Sequence, residues 1–226
     1  MLSVLTWKWK SDANARLQYT AEHVNIFSAM LKRNLTLPYK LYCITDDNRG
    51  LDKDIIYYPL WKEPNIKLNS KKPNCYRRLK IYSWWAKDVF GERILSIDID
   101  AVIVANIDSL LTRTEDFVAW NKRGVPYQGG MVLHTPGTRA FLWDEFKFPE
   151  SRQLGIKKGY CGSDQAWVSA RLPAGEAVWT PADGVLSYKS HVRNRGLPSH
   201  AKIVFYHGNP KPWQTKDDFL KEHWRL

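Results

Sequence analysis

The 226-residue sequence predicts an α/β fold in which a mixed, mostly parallel central sheet is flanked by helices. Strand-like apolar runs alternate with helical apolar patterns in the first half of the chain. This alternation is typical of parallel sheets covered by helices. Hydrophobic residues make up 44% of the sequence, which is typical of folded rather than disordered chains. A single domain over residues 1–226 accommodates this length.

The first half of the chain supplies strands and helices in alternation. Apolar residues at helical spacing, among them Val24, Phe27 and Met30, predict a first helix that ends before Pro38. The proline-containing stretch 59–73 is predicted to be a loop. In chain order the elements are strand Val4–Trp9, helix Thr20–Asn34, strands Lys40–Thr45 and Ile55–Tyr58, and helix Tyr76–Lys87.

The second half begins with a strand over Arg93–Val104 and ends in a predicted amphipathic helix at 214–226, where Phe219, Leu220 and Trp224 share a side. The stretch Gly208–Trp213 contains two prolines and is predicted to be irregular. The remaining predicted elements are strand Gly129–His134, helices Thr138–Phe146 and Gly162–Leu172, and strand Lys202–His207.

Cysteine usage and hydropathy predict a cytoplasmic protein, with peripheral attachment to the inner membrane surface left open. The three cysteines, Cys43, Cys75 and Cys161, are scattered and odd in number, which favours reduced thiols over disulfides or a zinc finger. No window approaches 18 consecutive apolar residues, so no transmembrane segment is predicted. The stretch Met1–Lys8 is predicted to be a strand and not a signal peptide.

The net charge of +11 predicts an anionic partner, such as a nucleotide, a phosphorylated glycan or lipopolysaccharide, a membrane surface or a nucleic acid. The basic residues are dispersed, and the chain has no long basic tail. A basic nucleic-acid-binding protein is therefore the alternative class. Small basic clusters occur at Lys71-Lys72, Arg77-Arg78, Lys157-Lys158 and Arg193–Arg195.

Two carboxylates interrupt the apolar run Arg93–Val104. In a strand, residues i and i+2 point to the same face, so Asp98 and Asp100 are predicted to converge. Converging buried carboxylates repel each other unless a cation lies between them, and a hard divalent ion with oxygen ligands suits them. The second triplet of this kind, Asp52-Lys53-Asp54, follows a glycine and is predicted to be a solvated turn.

Four sequence blocks resemble those of family 8-type glycosyltransferases, a nucleotide-sugar-dependent group that includes glycogenin and bacterial lipopolysaccharide galactosyltransferases. Arg78-Leu79-Lys80 and then Ile94–Leu111 are similar to the Arg/Lys-Leu helix, the Asp-x-Asp strand and the Asp-Leu turn of the family. Tyr127–Leu133 is similar to its Asn-Ser-Gly strand, with Gln128 where the family usually has Asn. Gly162–Gln165 is similar to its Asp-Gln helix start, and His207–Trp213 to a longer His…Gly…Lys-Pro-Trp segment.

The resemblance implies a GT-A fold and a hexosyltransferase that moves a sugar from a nucleotide-sugar donor, expected to be a UDP-sugar, to an acceptor hydroxyl with retention of configuration. It also implies a Mn²⁺ or Mg²⁺ ion held by Asp98, Asp100 and His207, where an imidazole ligand favours Mn²⁺. A related alternative is a glycosyltransferase that acts on modified nucleic acid bases.

The resemblance further implies roles for individual residues. Asp164 and Gln165 are the expected catalytic residues. The expected donor-binding residues are Thr6, Tyr19, Arg78, Asp98, Gly208 and Lys211, and the expected acceptor-side residues are Gln128, Gly129 and Trp213.

Ordinary structural roles remain open for most of these side chains. Tyr19 and Trp213 are also suited to core packing, and His207 to packing or capping. Arg78 and Lys211 are also suited to solvent-exposed positions. Ser163 or Asp164 is suited to capping the helix that follows.

Overall fold

A seven-stranded sheet forms the centre of the protein, in the order β3-β2-β1-β4-β7-β6-β8. The computed structural model describes residues 1–10, 19–66, 74–122 and 124–226. Within this sheet, β7 runs antiparallel to its neighbours β4 and β6, and the other neighbouring strands of the sheet are parallel to each other. The strands are β1 Leu2–Lys8, β2 Tyr39–Thr45, β3 Ile56–Pro59, β4 Ile94–Ile97, β5 Ala101–Ile103, β6 Phe117–Lys122, β7 Val125–His134, β8 Ala177–Trp179, β9 Val185–Ser187 and β10 Ile203–Phe205.

A second sheet of three strands, in the order β5-β10-β9, packs beside the first. The α-helices of the described residues are α1 Ala21–Asn34, α2 Trp84–Phe90, α3 Asp108–Leu111, α4 Phe141–Asp144, α5 Glu150–Lys157, α6 Asp164–Arg171 and α7 Asp218–His223. Shorter helical segments are the 3₁₀ helices Cys75–Tyr82, Pro181–Asp183 and Pro212–Gln214 and the π-turn Tyr188–Val192. No helix of this part of the chain is long and apolar enough to cross a membrane.

The central sheet separates two apolar clusters, so its inner strands β1 and β4 are buried on both faces. Helix α1 covers one face with Val24, Phe27 and Met30, all of them fully buried, and the predicted helical spacing is therefore confirmed. The 3₁₀ helix Cys75–Tyr82 covers the other face together with α2 and α6. The predicted α/β class and mostly parallel sheet are confirmed.

Several predicted elements differ from the structure. The run Arg93–Val104 is not one strand but the two strands β4 and β5, in different sheets. The segment predicted as one helix over Tyr76–Lys87 is a 3₁₀ helix followed by α2, divided at Ser83. Part of Gly208–Trp213, predicted to be irregular, joins the 3₁₀ turn Pro212–Gln214. Residues 67–73, with the Lys71-Lys72 cluster, lie outside the described residues.

His134 at the end of β7 is a titratable group buried in the core. Its ring is 1% exposed, and its Nε2 atom has no hydrogen-bond partner among the described residues. Burial, with a smaller contribution from Arg93, lowers the pKa of His134 to about 3. The ring is therefore neutral in the folded protein at pH values where the unfolded chain is already protonated.

We expect His134→Phe to make the protein less sensitive to acid. An unfolded histidine takes up its proton near pH 6.5 and the folded one near pH 3, so wild-type stability falls as the pH drops below 6.5. This group contributes about 2 kcal/mol of that loss at pH 5. Urea unfolding at pH 7 and pH 5 checks the expectation. Equal losses in the wild type and the variant would contradict it.

Candidate functional site

The acidic triplet Asp98-Ile99-Asp100 forms a turn that joins the two sheets. It follows β4 and precedes β5, and the Ala101 N–H donates to the Asp98 carbonyl across the turn, at 3.2 Å. The prediction that both aspartates lie within one strand is therefore wrong. Ile99 is buried as predicted, whereas the Asp98 side chain is 36% exposed and that of Asp100 is 6% exposed.

Arg78 links the acidic turn to the start of α6. Its Nη1 atom is 2.6 Å from Asp98 Oδ1, and its Nε is 2.8 Å from Asp164 Oδ2. Burial alone would lower the pKa of Arg78, but the two carboxylates outweigh burial and raise it well above its usual value. Arg78 is thus a buried, permanently charged bridge and not a solvated helix arginine.

A bulge in β7 brings glycines against this bridge. Ala119 and Trp120 are adjacent in β6, but their partners in β7, Val132 and Gln128, are four residues apart. The extra residues turn the Gly129 carbonyl towards Arg78 Nη1, at 3.1 Å. The Gly130 carbonyl accepts from the Asp98 N–H at 2.9 Å, and Gln128 Oε1 accepts from the Gly130 N–H. The Gly-Gly pair is therefore required for the close approach of strand and side chains.

We expect Gly129→Ala to impair activity more than stability. A Cβ at this position would lie 3.0 Å from Asp164 Oδ2 and 3.1 Å from Arg78 Nη2, so the ion pair would have to shift. Displacing a positioned pair by a few tenths of an ångström should reduce catalytic turnover about tenfold. Gly155→Ala in α5 is the control, because its Cβ would lie at a similar 3.1 Å from Ala166 Cβ in α6. Equal activity of the two variants would contradict the expectation.

Asp100 is held by Lys211 and Tyr19. The Lys211 ammonium forms an ion pair with the Asp100 carboxylate and donates to the Tyr206 carbonyl at 3.0 Å. The Tyr19 hydroxyl donates to Asp100 Oδ2 at 2.9 Å. Burial, together with Asp100, raises the pKa of Tyr19 well above its usual value, so the hydroxyl keeps its proton. Lys211 is 3% exposed, which excludes the alternative of a solvent-exposed loop lysine.

His207 lies at the carboxyl end of β10, between Ser187 and Lys122. Its Nε2 atom is 2.7 Å from Ser187 Oγ, and its Nδ1 is 3.3 Å from Lys122 Nζ. An ammonium can only donate, so Nδ1 accepts and the Nε2–H donates to Ser187. Burial, with smaller contributions from Lys122 and Lys189, lowers the pKa of His207 to about 4. The imidazole is therefore neutral at pH 7.

The donor set and charge balance of the acidic turn fit a divalent cation held by two aspartates. Among the described residues, Asp98, Asp100 and Asp164 are paired with two cations, Arg78 and Lys211, so these three carboxylates exceed their partners by one negative charge. Burial and the neighbouring Asp100 carboxylate together raise the pKa of Asp98 to about 6, although Arg78 acts in the opposite direction. A cation between the two carboxylates would relieve this cost.

A third ligand is not assembled in the described ranges. Within residues 1–10, 19–66, 74–122 and 124–226, no three His, Cys, Asp or Glu side chains are grouped so as to hold a metal ion. Both ring nitrogens of His207 are already engaged by Ser187 and Lys122. The role of His207 as metal ligand therefore stays a prediction.

A cleft of about 640 Å³ opens at the carboxyl ends of β1 and β2, beside the acidic turn. Such ends are where open α/β sheets bind ligands. Asp46 and Lys8 fix its walls, because the Asp46 carboxylate accepts from the Lys10 N–H at 2.9 Å and Lys8 Nζ donates to the Asp47 carbonyl at 2.6 Å. Tyr19 lines the cleft and also donates to Asp100, so this residue links the cleft to the acidic turn.

Trp213 packs against aromatic side chains of α1 and the C-terminal region. Its ring centroid lies 4.0 Å from that of His23, and it also meets Tyr19 and Trp224 edge-on or tilted. This packing fixes the turn that carries Lys211. Sequence reasoning missed His23 in this role, because a lone histidine on a helix gives no signal of its partner.

The other predicted site residues lie around this centre. The buried Thr6 hydroxyl donates to the Ile97 carbonyl at 3.1 Å, which ties β1 to the strand before the acidic turn. Gln165 Nε2 donates to the Cys161 carbonyl at 3.2 Å. Asp164 is paired with Arg78, and Ser163 at the N-cap makes no capping side-chain bond to the helix backbone. The roles assigned to Thr6, Gln128, Gln165 and Gly208 stay predictions.

The fold is shared with glycosyltransferases of known structure. An active-site mutant of LgtC matches 100% of this chain and 97% of its own, with a TM-score of 0.62 at 12% identity. The galactosyltransferase LgtC in complex with donor and acceptor sugar analogs matches 93% of this chain and 89% of its own, with a TM-score of 0.59 at 13% identity. No protein-family model and no curated protein sequence matches the chain.

A third similar structure is the glycosyltransferase GlyE of Streptococcus pneumoniae TIGR4. It gives a TM-score of 0.59 at 13% identity, and the match covers 96% of this chain but 58% of GlyE. At such identities the likeness shows the fold. The predicted GT-A fold is thereby confirmed.

Proposed function

We propose that the protein is a hexosyltransferase that moves a sugar from a nucleotide-sugar donor, a UDP-sugar, to an acceptor hydroxyl. The observation that carries the proposal is the acidic turn with its buried Arg78 and Lys211, linked through Tyr19 to a cleft at the carboxyl ends of β1 and β2. The shared fold with LgtC and GlyE supports sugar transfer as the reaction class. LgtC in particular was captured with donor and acceptor sugar analogs.

The cleft is suited to the nucleoside, and the acidic turn to the diphosphate. Tyr19 offers an aromatic edge to the base side of the cleft, and Lys211 offers a buried ammonium as a point charge for a phosphate oxygen. For this contact Lys211 has to exchange Asp100 for the phosphate. The exchange becomes favourable when a divalent cation takes over the carboxylate.

Asp98 and Asp100 are the residues that would hold Mn²⁺ or Mg²⁺. Bound there, the ion would neutralise the charge that develops on the departing nucleoside diphosphate. Arg78 keeps Asp98 in position from the protein side through its bond to Oδ1. His207 is the proposed third ligand, which would have to give up Ser187 or Lys122.

In the proposed transfer, the bond between the anomeric carbon and the diphosphate oxygen breaks and the acceptor hydroxyl oxygen takes its place. The acceptor proton leaves with the departing nucleoside diphosphate. Asp164 and Gln165, at the start of α6, are the proposed residues beside the anomeric carbon, where a carboxylate stabilises positive charge on the sugar ring. No free base is needed opposite the donor, and we infer retention of configuration.

A donor panel tests the proposal. We expect slow hydrolysis of one nucleotide sugar that Mn²⁺ stimulates and a chelator stops, with the released sugar keeping the donor configuration by nuclear magnetic resonance. Absence of hydrolysis and of nucleotide binding across the panel would refute the proposal. An inverted product would refute the retaining mechanism alone.

The comparisons do not favour a nucleic-acid-binding function, since the similar structures are glycosyltransferases. The net charge of +11 instead supports an anionic acceptor, such as a phosphorylated glycan, lipopolysaccharide or nucleic acid, for the same transfer.

A further inference from the structure

Two lysines from different elements meet at His207. Lys122 ends β6, and its Nζ atom lies 3.3 Å from His207 Nδ1. Lys189 lies in the π-turn after β9, and its Nζ would be 3.2 Å from a Cβ built on Gly208. The two ammonium groups therefore approach the same short segment, His207-Gly208, from two sides. We call Lys122, Lys189 and His207 the basic rim.

The positive charge of the basic rim has no carboxylate partner in the described part of the chain. The ion pairs found there leave out both Lys122 and Lys189, whereas Lys211 is paired with Asp100. Lys122 is half-buried, so its charge is poorly solvated as well. His207 Nδ1 accepts a hydrogen bond from Lys122 and so orients the ammonium group. Two unpaired ammonium groups repel each other, and an anion between them relieves the repulsion.

The position of the basic rim ties it to the transfer site. On one side, Phe205 of β10 pairs with Ala101, the residue after Asp100, so His207 lies beside the acidic turn. On the other side, Cys161 lies close enough to Lys122 to influence its pKa, and the Cys161 carbonyl accepts from Gln165 Nε2 at 3.2 Å. The basic rim thus lies between the acidic turn and the start of α6.

We propose that Lys122 and Lys189 bind a phosphate group within the transfer site. The inference rests on the proposed function for its setting, since the phosphate belongs either to the diphosphate of the donor or to a phosphorylated acceptor. Ammonium groups of lysine bind phosphate oxygens as point charges through charge-assisted hydrogen bonds. Ser187 supports the arrangement by accepting from His207, which holds the Nδ1 atom towards Lys122.

The first experiment measures phosphate binding itself. Inorganic phosphate is titrated into wild-type protein, Lys122→Gln, Lys189→Gln and the double variant, with ³¹P nuclear magnetic resonance as readout. Each single variant should lose severalfold in affinity and the double variant about tenfold or more. Lys53→Gln removes the same charge from an exposed turn before β3 and should bind like wild type. Circular dichroism verifies the fold of each variant.

Two further arms identify the source of the phosphate. If the diphosphate of the donor occupies the basic rim, UDP binds more weakly to the double variant, and wild-type protein saturated with UDP no longer binds inorganic phosphate. If the acceptor supplies it, UDP binds equally well to both proteins, and inorganic phosphate still binds to the UDP-saturated wild type.

The outcomes separate this inference from the proposed function. Wild-type affinity of the double variant for both inorganic phosphate and UDP would overturn the inference, and so would an equal loss in Lys53→Gln. Failure of wild-type protein to bind any nucleoside diphosphate would instead count against the proposed function, while the titration with inorganic phosphate would still decide on the basic rim.

Discussion

Asp98→Asn and Asp100→Asn should each reduce metal-stimulated hydrolysis of the donor by about a hundredfold or more, because both carboxylates are needed to hold the cation against the diphosphate. Calorimetric titration of Mn²⁺ should show a matching loss of affinity. The variant of Asp100 also leaves the Lys211 ammonium buried without its partner, so we expect a lower melting temperature for it than for the variant of Asp98.

The chain provides its own control in the second acidic triplet. Asp54 forms an exposed ion pair with Lys32, and Asp52 lies in the same solvated turn. Asp52→Asn and Asp54→Asn remove the same charges without touching the cleft, and both should keep wild-type activity. Full activity in either Asp98→Asn or Asp100→Asn, or wild-type activity in excess chelator, would refute the role of the acidic turn.

Arg78→Met should cost about 3 kcal/mol of unfolding free energy. Removing the guanidinium leaves Asp164 buried without its cation and Asp98 partly so. Removing one partner of a buried ion pair costs about 3–5 kcal/mol in general. The lower end of this range applies here, because about a third of the Asp98 side chain is exposed to solvent. The folded variant should also lose catalytic activity, because Arg78 positions both Asp98 and Asp164.

Arg77→Met is the matched control in the same 3₁₀ helix. The Nε atom of Arg77 has no partner in the described residues, and the backbone contact of its carbonyl with Trp61 Nε1 survives the substitution. Adding Asp164→Asn to Arg78→Met should restore part of the lost stability, because one unpaired charge disappears. Equal unfolding midpoints for Arg77→Met and Arg78→Met, or no recovery in the double variant, would refute the bridging role.

Local sequence patterns predicted those helices and strands whose own residues show a clear apolar spacing. Helix α1 followed from apolar spacing, and the parallel strands β1 to β3 from short apolar runs between turns. Strands β6, β8 and β9 were not predicted. Two of them have only three residues, and they exist because they pair with β7, β6 and β10, which no local pattern records.

The acidic pair was predicted to lie within one strand, and the structure places it in a turn between two strands. Alternating isoleucine and aspartate fits a strand, and the split into β4 and β5 depends on pairing of β5 with β10, about a hundred residues later in the chain. The same limit applies to the basic rim. Lys122 and Lys189 are ordinary surface lysines in sequence, and only the adjacent ends of β6, β9 and β10 bring them to His207.

The turn that joins the two sheets has a consequence for distant positions. Asp98 is fixed to the seven-stranded sheet and Asp100 to the three-stranded one, so any slippage between the sheets changes the spacing of the two carboxylates directly. Val204, fully buried in β10, pairs with Val102 just beyond the turn. Replacing such a residue by a smaller one would weaken the packing of the three-stranded sheet. In a mutational screen, the variant would resemble one that lacks a metal ligand, although no residue of the cleft had been changed.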